Sequence, residues 1–133
     1  MGAVALDASV LIGFLDPGDA LHGPCTEAVR LHAQDELVLP ASAYAELLVG
    51  PSRAGRRAVA RVDAAIGELG IAVVPLDRET AREAARLRSR HAALRLPDAL
   101  VLAAAEVSGC EVLLAGDARW AKVSRRVRVV RAG

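Results

Sequence analysis

The sequence predicts a single three-layer α/β domain, in which a central parallel sheet of four to five short strands is flanked by helices. The chain has 133 residues, which is the size of one compact domain. Short apolar runs of four or five residues alternate with longer segments whose apolar residues recur at helical spacing. The short runs are apolar throughout, which is typical of parallel strands buried on both faces. No internal repeat or low-complexity linker interrupts residues 1–133, so we expect one domain.

The first half of the chain is predicted to contain two strands and four helices. The strands are expected at Ala3–Leu6 and Glu36–Pro40. The helices are expected at Ser9–Leu15, Pro24–Ala33, Ala41–Val49 and Arg53–Leu69. The segment DPGD at 16–19 has the composition of a turn, and Gly50–Pro51 is expected to separate the third and fourth helices.

The second half begins with a strand at Ile71–Pro75 and a helix at Asp77–Leu94, for which Asp77 is the expected N-cap. Leu96–Pro97 is expected to end that helix. The next helix, Asp98–Ser108, is almost entirely apolar and therefore predicted to be buried, with Gly109 as its C-cap. A strand at Glu111–Ala115, a short helix after Asp117 and a last strand at Val127–Val130 complete the prediction.

Composition and motif spacing limit the classes of function. A net charge of +1 rules out neither nucleic-acid binding nor membrane binding, but it provides no large global field for either. An aromatic content of 2% argues against a binding face built on stacked rings. Cys25 and Cys110 form no CxxC pair, which excludes common zinc and thioredoxin-like motifs. No uncharged apolar stretch reaches the roughly 18 residues of a membrane span, so we expect a cytoplasmic protein without membrane association.

Four acidic residues are expected to meet at one edge of the sheet. Asp7 directly follows the first predicted strand, and Asp117 follows the fourth. Asp98 opens the predicted buried helix, and Glu46 lies within an otherwise apolar helix. In open α/β sheets, ligands bind at the carboxyl ends of the strands. The positions of these acids therefore indicate a candidate site.

A simpler interpretation exists for each acid taken alone. Asp7, Asp98 and Asp117 each precede a predicted helix, where an aspartate N-cap stabilises by about 1 kcal/mol. Glu46 could be an exposed helix residue. If the acids converge, however, two carboxylates at about 4 Å and an effective dielectric of about 20 repel by about 4 kcal/mol. Such a cluster requires a shared proton or a bound cation. Oxygen ligands favour Mg²⁺ or Mn²⁺ over zinc, and such a cation suits phosphodiester chemistry.

These residues, in this order, resemble the PIN-domain family of metal-dependent ribonucleases. The resemblance is carried by LDASVLIGFL with Asp7, PASAYAELLVG with Glu46, LPDALVLAAA with Asp98 and LLAGDARW with Asp117. It covers essentially the whole chain, whose length and architecture are similar to those of VapC-type toxins of VapBC toxin–antitoxin pairs.

The resemblance implies a function for each acid. Asp7, Asp98 and Asp117 would hold Mg²⁺ (or Mn²⁺) directly or through water, and Glu46 would position metal-bound water. Ser9 matches the small polar residue that follows the first aspartate by two positions. The sequence departs from the family at Ala115, where Ser or Thr is common, which weakens the expected surroundings of Asp117.

The resemblance also implies an activity and partners. The activity is endoribonuclease hydrolysis of RNA by in-line attack of metal-activated water, which leaves 5′-phosphate and 3′-hydroxyl ends. The partners are a cognate VapB-type antitoxin, whose C-terminal segment would occupy the acidic cleft, and a second copy of the chain in a homodimer.

Basic residues near the last acid could bind the RNA backbone, because phosphate contacts supply most non-specific affinity. The candidates are Arg119, Lys122 and Arg125. A solvated surface is the equally simple interpretation of this C-terminal cluster. For the arginines of Arg78–Arg90, a solvated face interleaved with Glu79 and Glu83 is the favoured interpretation.

Two other classes of function stay open. A metal-dependent phosphatase or receiver domain has a similar sheet, but residue 9 is Ser, so Asp7 begins no D-x-D motif, and Lys122 follows Asp117 too closely for a receiver lysine. A non-catalytic PIN-like binding module is the other alternative, which Ala115 leaves open. Dinucleotide-binding and P-loop classes are excluded, because G-x-G-x-x-G and G-x-x-x-x-G-K-[ST] are absent.

Overall fold

The computed structural model describes residues 2–132 and contains one parallel sheet of five strands flanked by helices. The strands are β1 (Ala3–Leu6), β2 (Glu36–Pro40), β3 (Ala72–Val74), β4 (Val112–Ala115) and β5 (Val127–Val129). Their spatial order is β3-β2-β1-β4-β5, and every neighbouring pair is parallel. The predicted fold class is therefore confirmed, with five strands.

Seven α-helices connect the strands within the described residues. They are α1 (Ala8–Leu15), α2 (His22–Leu31), α3 (Ala41–Leu47), α4 (Val49–Ala54), α5 (Arg56–Glu68), α6 (Arg78–Arg90) and α7 (Leu96–Val107). A 3₁₀ turn at Ala118–Lys122 follows β4. None of these helices combines the length and the apolar composition needed to cross a membrane.

Both faces of the sheet are covered at its centre. Val4, Ala5 and Leu6 of β1 are all buried, although successive side chains of a strand point to opposite faces. The central strand pairs with β2 on one side, where Val4 is opposite Leu37, and with β4 on the other, where Ala5 is opposite Leu113. This burial explains why the strand segments are apolar throughout.

The order in which the strands are added to the sheet changes side between β1 and β4, although all strands remain parallel. From β1 it adds β2 and β3 on one side, and only then β4 and β5 on the other. Such a switch point opens a crevice at the carboxyl ends of the two central strands. The loops at this crevice carry Asp7 and Asp117.

The boundary between α6 and α7 differs from the prediction. Helix α6 ends at Arg90 instead of Leu94, and Leu96–Pro97 begins α7 instead of ending α6. Pro97 is tolerated in the first turn because backbone N–H groups there have no partner within the helix. As a result Asp98 is the third residue of α7, and the N-cap position belongs to Arg95. The prediction that Asp98 opens the helix, and with it the simple capping role, was wrong.

The predicted break at Gly50–Pro51 was also wrong. Both residues lie inside α4, and the chain instead breaks at Gly55, where φ is +125°. Glycine adopts this backbone conformation without the strain that a Cβ atom would introduce. The single helix predicted at Arg53–Leu69 is consequently two helices, and the third helix ends at Leu47 instead of Val49.

Several boundary predictions were close or confirmed. The second helix spans His22–Leu31 instead of Pro24–Ala33. Asp77 caps α6 by accepting a 2.9 Å hydrogen bond from the backbone N–H of Thr80. Gly109 follows the end of α7 with φ +67°, as a helix C-terminus in the left-handed conformation requires.

Candidate active site

Asp7 is the buried centre of the candidate site. It follows β1 directly, and its backbone N–H donates to the carbonyl of Leu114 at 3.0 Å, which extends the β1–β4 pairing to the crevice. The residue is only 7% exposed. Its carboxylate accepts a 3.0 Å hydrogen bond from Ser9 Oγ. Although Asp7 occupies the N-cap position of α1, its side chain makes no capping hydrogen bond to the helix among the described residues. Helix capping therefore does not explain this acid.

Burial and neighbouring charges raise the pKa of Asp7 to about 6. The largest cause is desolvation, and the hydrogen bond from Ser9 and the nearby backbone N–H of Ala8 act in the opposite direction. The two side-chain charges that act on the carboxyl group, those of Glu46 and Asp98, are both negative and raise its pKa further. A positive charge placed beside Asp7 would thus be stabilised.

Glu46 lies at the rim of the site. It is exposed on α3, a helix that packs against both α1 and α7. Exposure agrees with the simple interpretation of this residue as a solvated helix position. Its charge nevertheless acts on Asp7, so the fold brings Glu46 into the same electrostatic environment.

Asp98 faces the site from the first turn of α7. Its side chain is 18% exposed, and its Oδ2 lies 3.6 Å from Arg95 Nε. An acid in the first turn also has a favourable interaction with the positive end of the helix dipole. Sequence reasoning missed Arg95, although its spacing of three residues from Asp98 at a helix start is the signal that could have found it.

Asp117 is engaged by an arginine. Arg119 donates from Nε to Oδ1 at 3.0 Å and from Nη2 to Oδ2 at 2.7 Å. Its backbone N–H also donates to Oδ1 at 2.9 Å, so Asp117 caps the 3₁₀ turn as the simple interpretation proposed. These bonds to Arg119 hold the pKa of Asp117 below its usual range. Both oxygens of this carboxylate therefore accept hydrogen bonds from Arg119.

A cavity of about 410 Å³ lies between the start of α7 and the 3₁₀ turn. Asp98 and Asp117 line it together with Arg119 and Lys122, two of the predicted RNA-binding residues. The cavity wall also includes Trp120, which is 4% exposed and packs in the core. Acidic and basic groups thus share one cavity at the crevice.

Arg125 lies elsewhere. It lines a separate groove with Glu83, Arg86 and Glu106. Arg86 donates to Glu83 there, which agrees with the interpretation of the α6 arginines as part of a solvated, ion-paired face.

Ser9 is held between Asp7 and the loop after β4. A Cβ atom on Gly116 would lie 3.1 Å from Ser9 Oγ, so glycine at this position allows the hydroxyl to approach. Ala115, the departure from the family pattern, is fully buried at the end of β4. Ser9, in the first turn of α1, is accordingly the hydroxyl that contacts the buried acid Asp7.

The four acids do not form one finished metal site: Asp98 and Asp117 line the cavity, whereas Asp7 and Glu46 are not among its lining residues and are linked to Asp98 through the charges that act on Asp7. Within residues 2–132, no three His, Cys, Asp or Glu side chains already surround a point suited to a metal ion. The donor chemistry nevertheless fits a hard cation, because carboxylate oxygens are its preferred ligands and the charges acting on Asp7 are negative.

Known proteins place this architecture in a family. The model of the PIN domain family matches residues 4–126, so the chain belongs to the PIN domain family. None of the curated proteins searched matches the chain.

Solved structures share the fold. A toxin–antitoxin complex from Klebsiella pneumoniae contains a chain with a TM-score of 0.77 and 20% identity, covering 96% of this chain and 98% of that one. A chain of VapBC2 from Rickettsia felis, bound to a DNA fragment from its promoter, has a TM-score of 0.79, 11% identity and coverages of 96% and 98%. VapC20 from Mycobacterium tuberculosis, a Sarcin-Ricin loop cleaving toxin, has a TM-score of 0.73, 21% identity and coverages of 91% and 95%.

Proposed function

We propose that the chain is a Mg²⁺-dependent endoribonuclease toxin of a type II toxin–antitoxin pair. The observation that carries this proposal is the buried Asp7 at the switch point of the sheet, where the side-chain charges acting on it are negative. Membership in the PIN domain family supports the nuclease class and argues against a phosphatase of another α/β class. Similarity of fold to toxins, one of them described as cleaving the Sarcin-Ricin loop, supports the toxin assignment and an RNA substrate.

The chain's own residues would divide the reaction between them. Asp7, Asp98 and Asp117 would hold Mg²⁺, or Mn²⁺ in its place. When bound, such an ion lowers the pKa of water and neutralises charge on a phosphate. Glu46, exposed at the rim, would orient the attacking water and accept its proton. The Ser9 hydroxyl would keep the Asp7 carboxylate oriented through their 3.0 Å hydrogen bond.

The reaction would be an in-line displacement at phosphorus. The water oxygen forms a new bond to phosphorus while the bond to the 3′-oxygen breaks, and the departing oxygen takes up a proton. The products are a 5′-phosphate and a 3′-hydroxyl end. Arg119 and Lys122, which line the cavity beside Asp98, would contact the RNA backbone. Arg125, in its separate groove, would contact only a longer strand.

A VapB-type antitoxin and a second copy of the chain are the proposed partners. Several proteins of the same fold were solved as toxin–antitoxin complexes, some of them with DNA. A toxin of this kind would act in the cytoplasm, where its RNA targets are. The small product of an adjacent gene should therefore co-purify with the tagged chain.

Mapping of new 5′-phosphate RNA ends in cells tests the proposal. Cells that express the wild-type chain should arrest growth and accumulate discrete new ends, whereas cells that express Asp7→Asn should do neither. Glu68→Gln is a matched control, because this exposed acid lies in a different groove with Phe14 and His22. If wild type and Asp7→Asn gave the same ends and the same growth, the chain would instead be a non-catalytic PIN-domain binding module.

A further inference from the structure

We propose that Arg119 is a positioning residue that holds Asp117 away from the cation and releases it when the cation binds. The inference rests on the proposed metal-dependent function, in which Arg119 would compete with the cation for the Asp117 carboxylate. The geometry of the Asp117–Arg119 pair supports this competition. A guanidinium that donates from Nε and Nη2 to both oxygens of one carboxylate occupies one lone pair on each oxygen, and a cation bound between the two oxygens would compete for these.

The other acids differ from Asp117 in this respect. Asp7 accepts a hydrogen bond from a neutral hydroxyl, and the contact between Asp98 and Arg95 is a single one at 3.6 Å. The charge of Asp98 also acts on Arg119. The guanidinium therefore interacts electrostatically with both acids that line the cavity. Among the described residues no three His, Cys, Asp or Glu side chains are grouped for a metal ion, and Asp117 is the proposed ligand whose two oxygens both bond to a guanidinium.

Release of Asp117 requires little rearrangement. The Arg119 side chain is 81% exposed, and exposed ion pairs are weak because water competes for both partners. The neighbouring Trp120 is 4% exposed and anchors the 3₁₀ turn in the core. The guanidinium can therefore rotate while the backbone, and with it the 2.9 Å bond from the Arg119 N–H to Asp117, stays in place.

The freed guanidinium would gain a new partner. It lines the cavity together with Arg95 and Lys122, so a released Arg119 adds to a positively charged wall facing RNA. Cation binding and RNA binding would then favour each other, and by linkage the effect is reciprocal. In the absence of both, Arg119 keeps the site in a state with low affinity for the cation.

Calorimetric titration of the full chain with Mn²⁺, without RNA, tests this inference. Arg119→Gln should bind Mn²⁺ about fivefold more tightly than wild type, which is the scale of a surface ion pair. Arg119→Lys keeps the charge but loses the bidentate hydrogen bonds to the Asp117 carboxylate. This variant should also bind Mn²⁺ more tightly than wild type. Lys122→Gln removes a charge from the same cavity and should change the affinity less than about twofold, because exposed charges are screened by salt.

A double-mutant cycle with Asp117→Asn shows whether Arg119 acts through Asp117. In the Asp117→Asn background, Arg119→Gln should leave the Mn²⁺ affinity unchanged. The inference is overturned if Arg119→Gln binds no more tightly than wild type, if Lys122→Gln gives an equal gain, or if the gain persists without the Asp117 carboxylate. Absence of Mn²⁺ binding in every variant would overturn the proposed metal dependence as well, so the two failures are distinguishable.

The Nε–H signal of Arg119 in the NMR spectrum gives an independent readout. Arg119→Lys identifies the signal by its loss. Addition of diamagnetic Mg²⁺ should shift it from the position of a carboxylate-bound guanidinium towards that of free arginine. A signal that stays in place while Mg²⁺ binds would show that Asp117 is never released.

Discussion

Asp7 shows how topology forces a carboxyl group into an unfavourable environment. The residue must follow β1, and β1 lies at the centre of the sheet between β2 and β4. Its side chain is therefore desolvated, and burial is the main reason why its pKa rises to about 6. Burial of the Asp7 carboxyl group without a bound cation lowers the free energy of unfolding. A function that requires a carboxylate at this position would explain why an acid is buried there.

The stability of Asp7→Asn should depend on pH. Between pH 4 and pH 6 the folded chain retains the Asp7 proton that the unfolded chain has lost, so stability from this group falls as pH rises through that window. Asparagine does not ionise and can still accept the hydrogen bond from Ser9. In metal-free buffer we expect Asp7→Asn to be more stable than wild type by about 3 kcal/mol at pH 8 and by about 1 kcal/mol at pH 4.5.

Urea unfolding of both proteins at the two pH values measures this difference. Ser9→Ala is an informative companion, because loss of the hydroxyl should raise the pKa of Asp7 further. A stability difference that is independent of pH would contradict the raised pKa of Asp7.

Among the elements, the strands were the easiest to predict from the sequence. Apolar runs such as Ala3–Leu6 leave no alternative to burial on both faces, and β1, β2 and β4 lie within a residue of their predicted bounds. Helix ends were harder, because the decisive features are backbone conformations. Pro97 is compatible with either the end or the start of a helix, and only packing of the buried α7 decides between them.

The candidate site likewise combines positions that the sequence pattern predicts with contacts that only the folded structure determines. Asp7 and Asp117 follow the neighbouring strands β1 and β4, which agrees with the expectation of a site at the carboxyl ends of the strands. The sequence did not predict that these two strands are neighbours. The pairing of Asp117 with Arg119 depends on side-chain rotamers in the 3₁₀ turn, and these leave no signal in the sequence. The contribution of Glu46 depends on how α3 packs against α1, a contact between distant segments.

The packing of α1 against α2 depends on the glycine in α1. A Cβ atom on Gly13 would lie 2.6 Å from Cys25 Sγ, much closer than real Cβ contacts. Gly13→Ala should therefore destabilise the fold by about 1–2 kcal/mol, because overpacking exceeds the gain in helix propensity. Gly67→Ala in α5 is the matched control, since apart from its chain neighbours and its own helix backbone no described atom lies within 4 Å of its Cβ position, and it should stabilise by about 0.5–1 kcal/mol.

Removal of the facing sulfur should relieve the effect of Gly13→Ala. In urea unfolding, Gly13→Ala combined with Cys25→Ala should be less destabilised than the sum of the separate changes, because Sγ is the closest atom. Equal changes in the free energy of unfolding for Gly13→Ala and Gly67→Ala would show that α2 can move away from α1 and accommodate the added methyl group without cost.

At the scale of the whole molecule, the proposed acidic site would join four segments that are distant in the sequence. Asp7 follows β1, Glu46 lies on α3, Asp98 on α7 and Asp117 after β4. A ligand that contacts several of these segments in the native state, and none of them in the unfolded chain, must raise the free energy of unfolding of the entire domain. Cation binding is therefore visible in global stability and does not require a known RNA substrate.

Millimolar Mg²⁺ or Mn²⁺ should raise the melting temperature of the wild-type chain. At a cation concentration of about 100 times Kd, the linkage between binding and folding raises the free energy of unfolding by about 2.7 kcal/mol. For a domain of this size, this corresponds to a rise in melting temperature on the order of 10 °C. Asp98→Asn should abolish the response, because it removes a proposed ligand and one of the two charges acting on Asp7, whereas Glu68→Gln in its separate groove should respond like wild type. Thermal melts at equal ionic strength in NaCl separate specific binding from screening. An unchanged wild-type melting curve would mean that the acids of the crevice bind no divalent cation, and the burial of the Asp7 carboxyl group would then need another function to explain it.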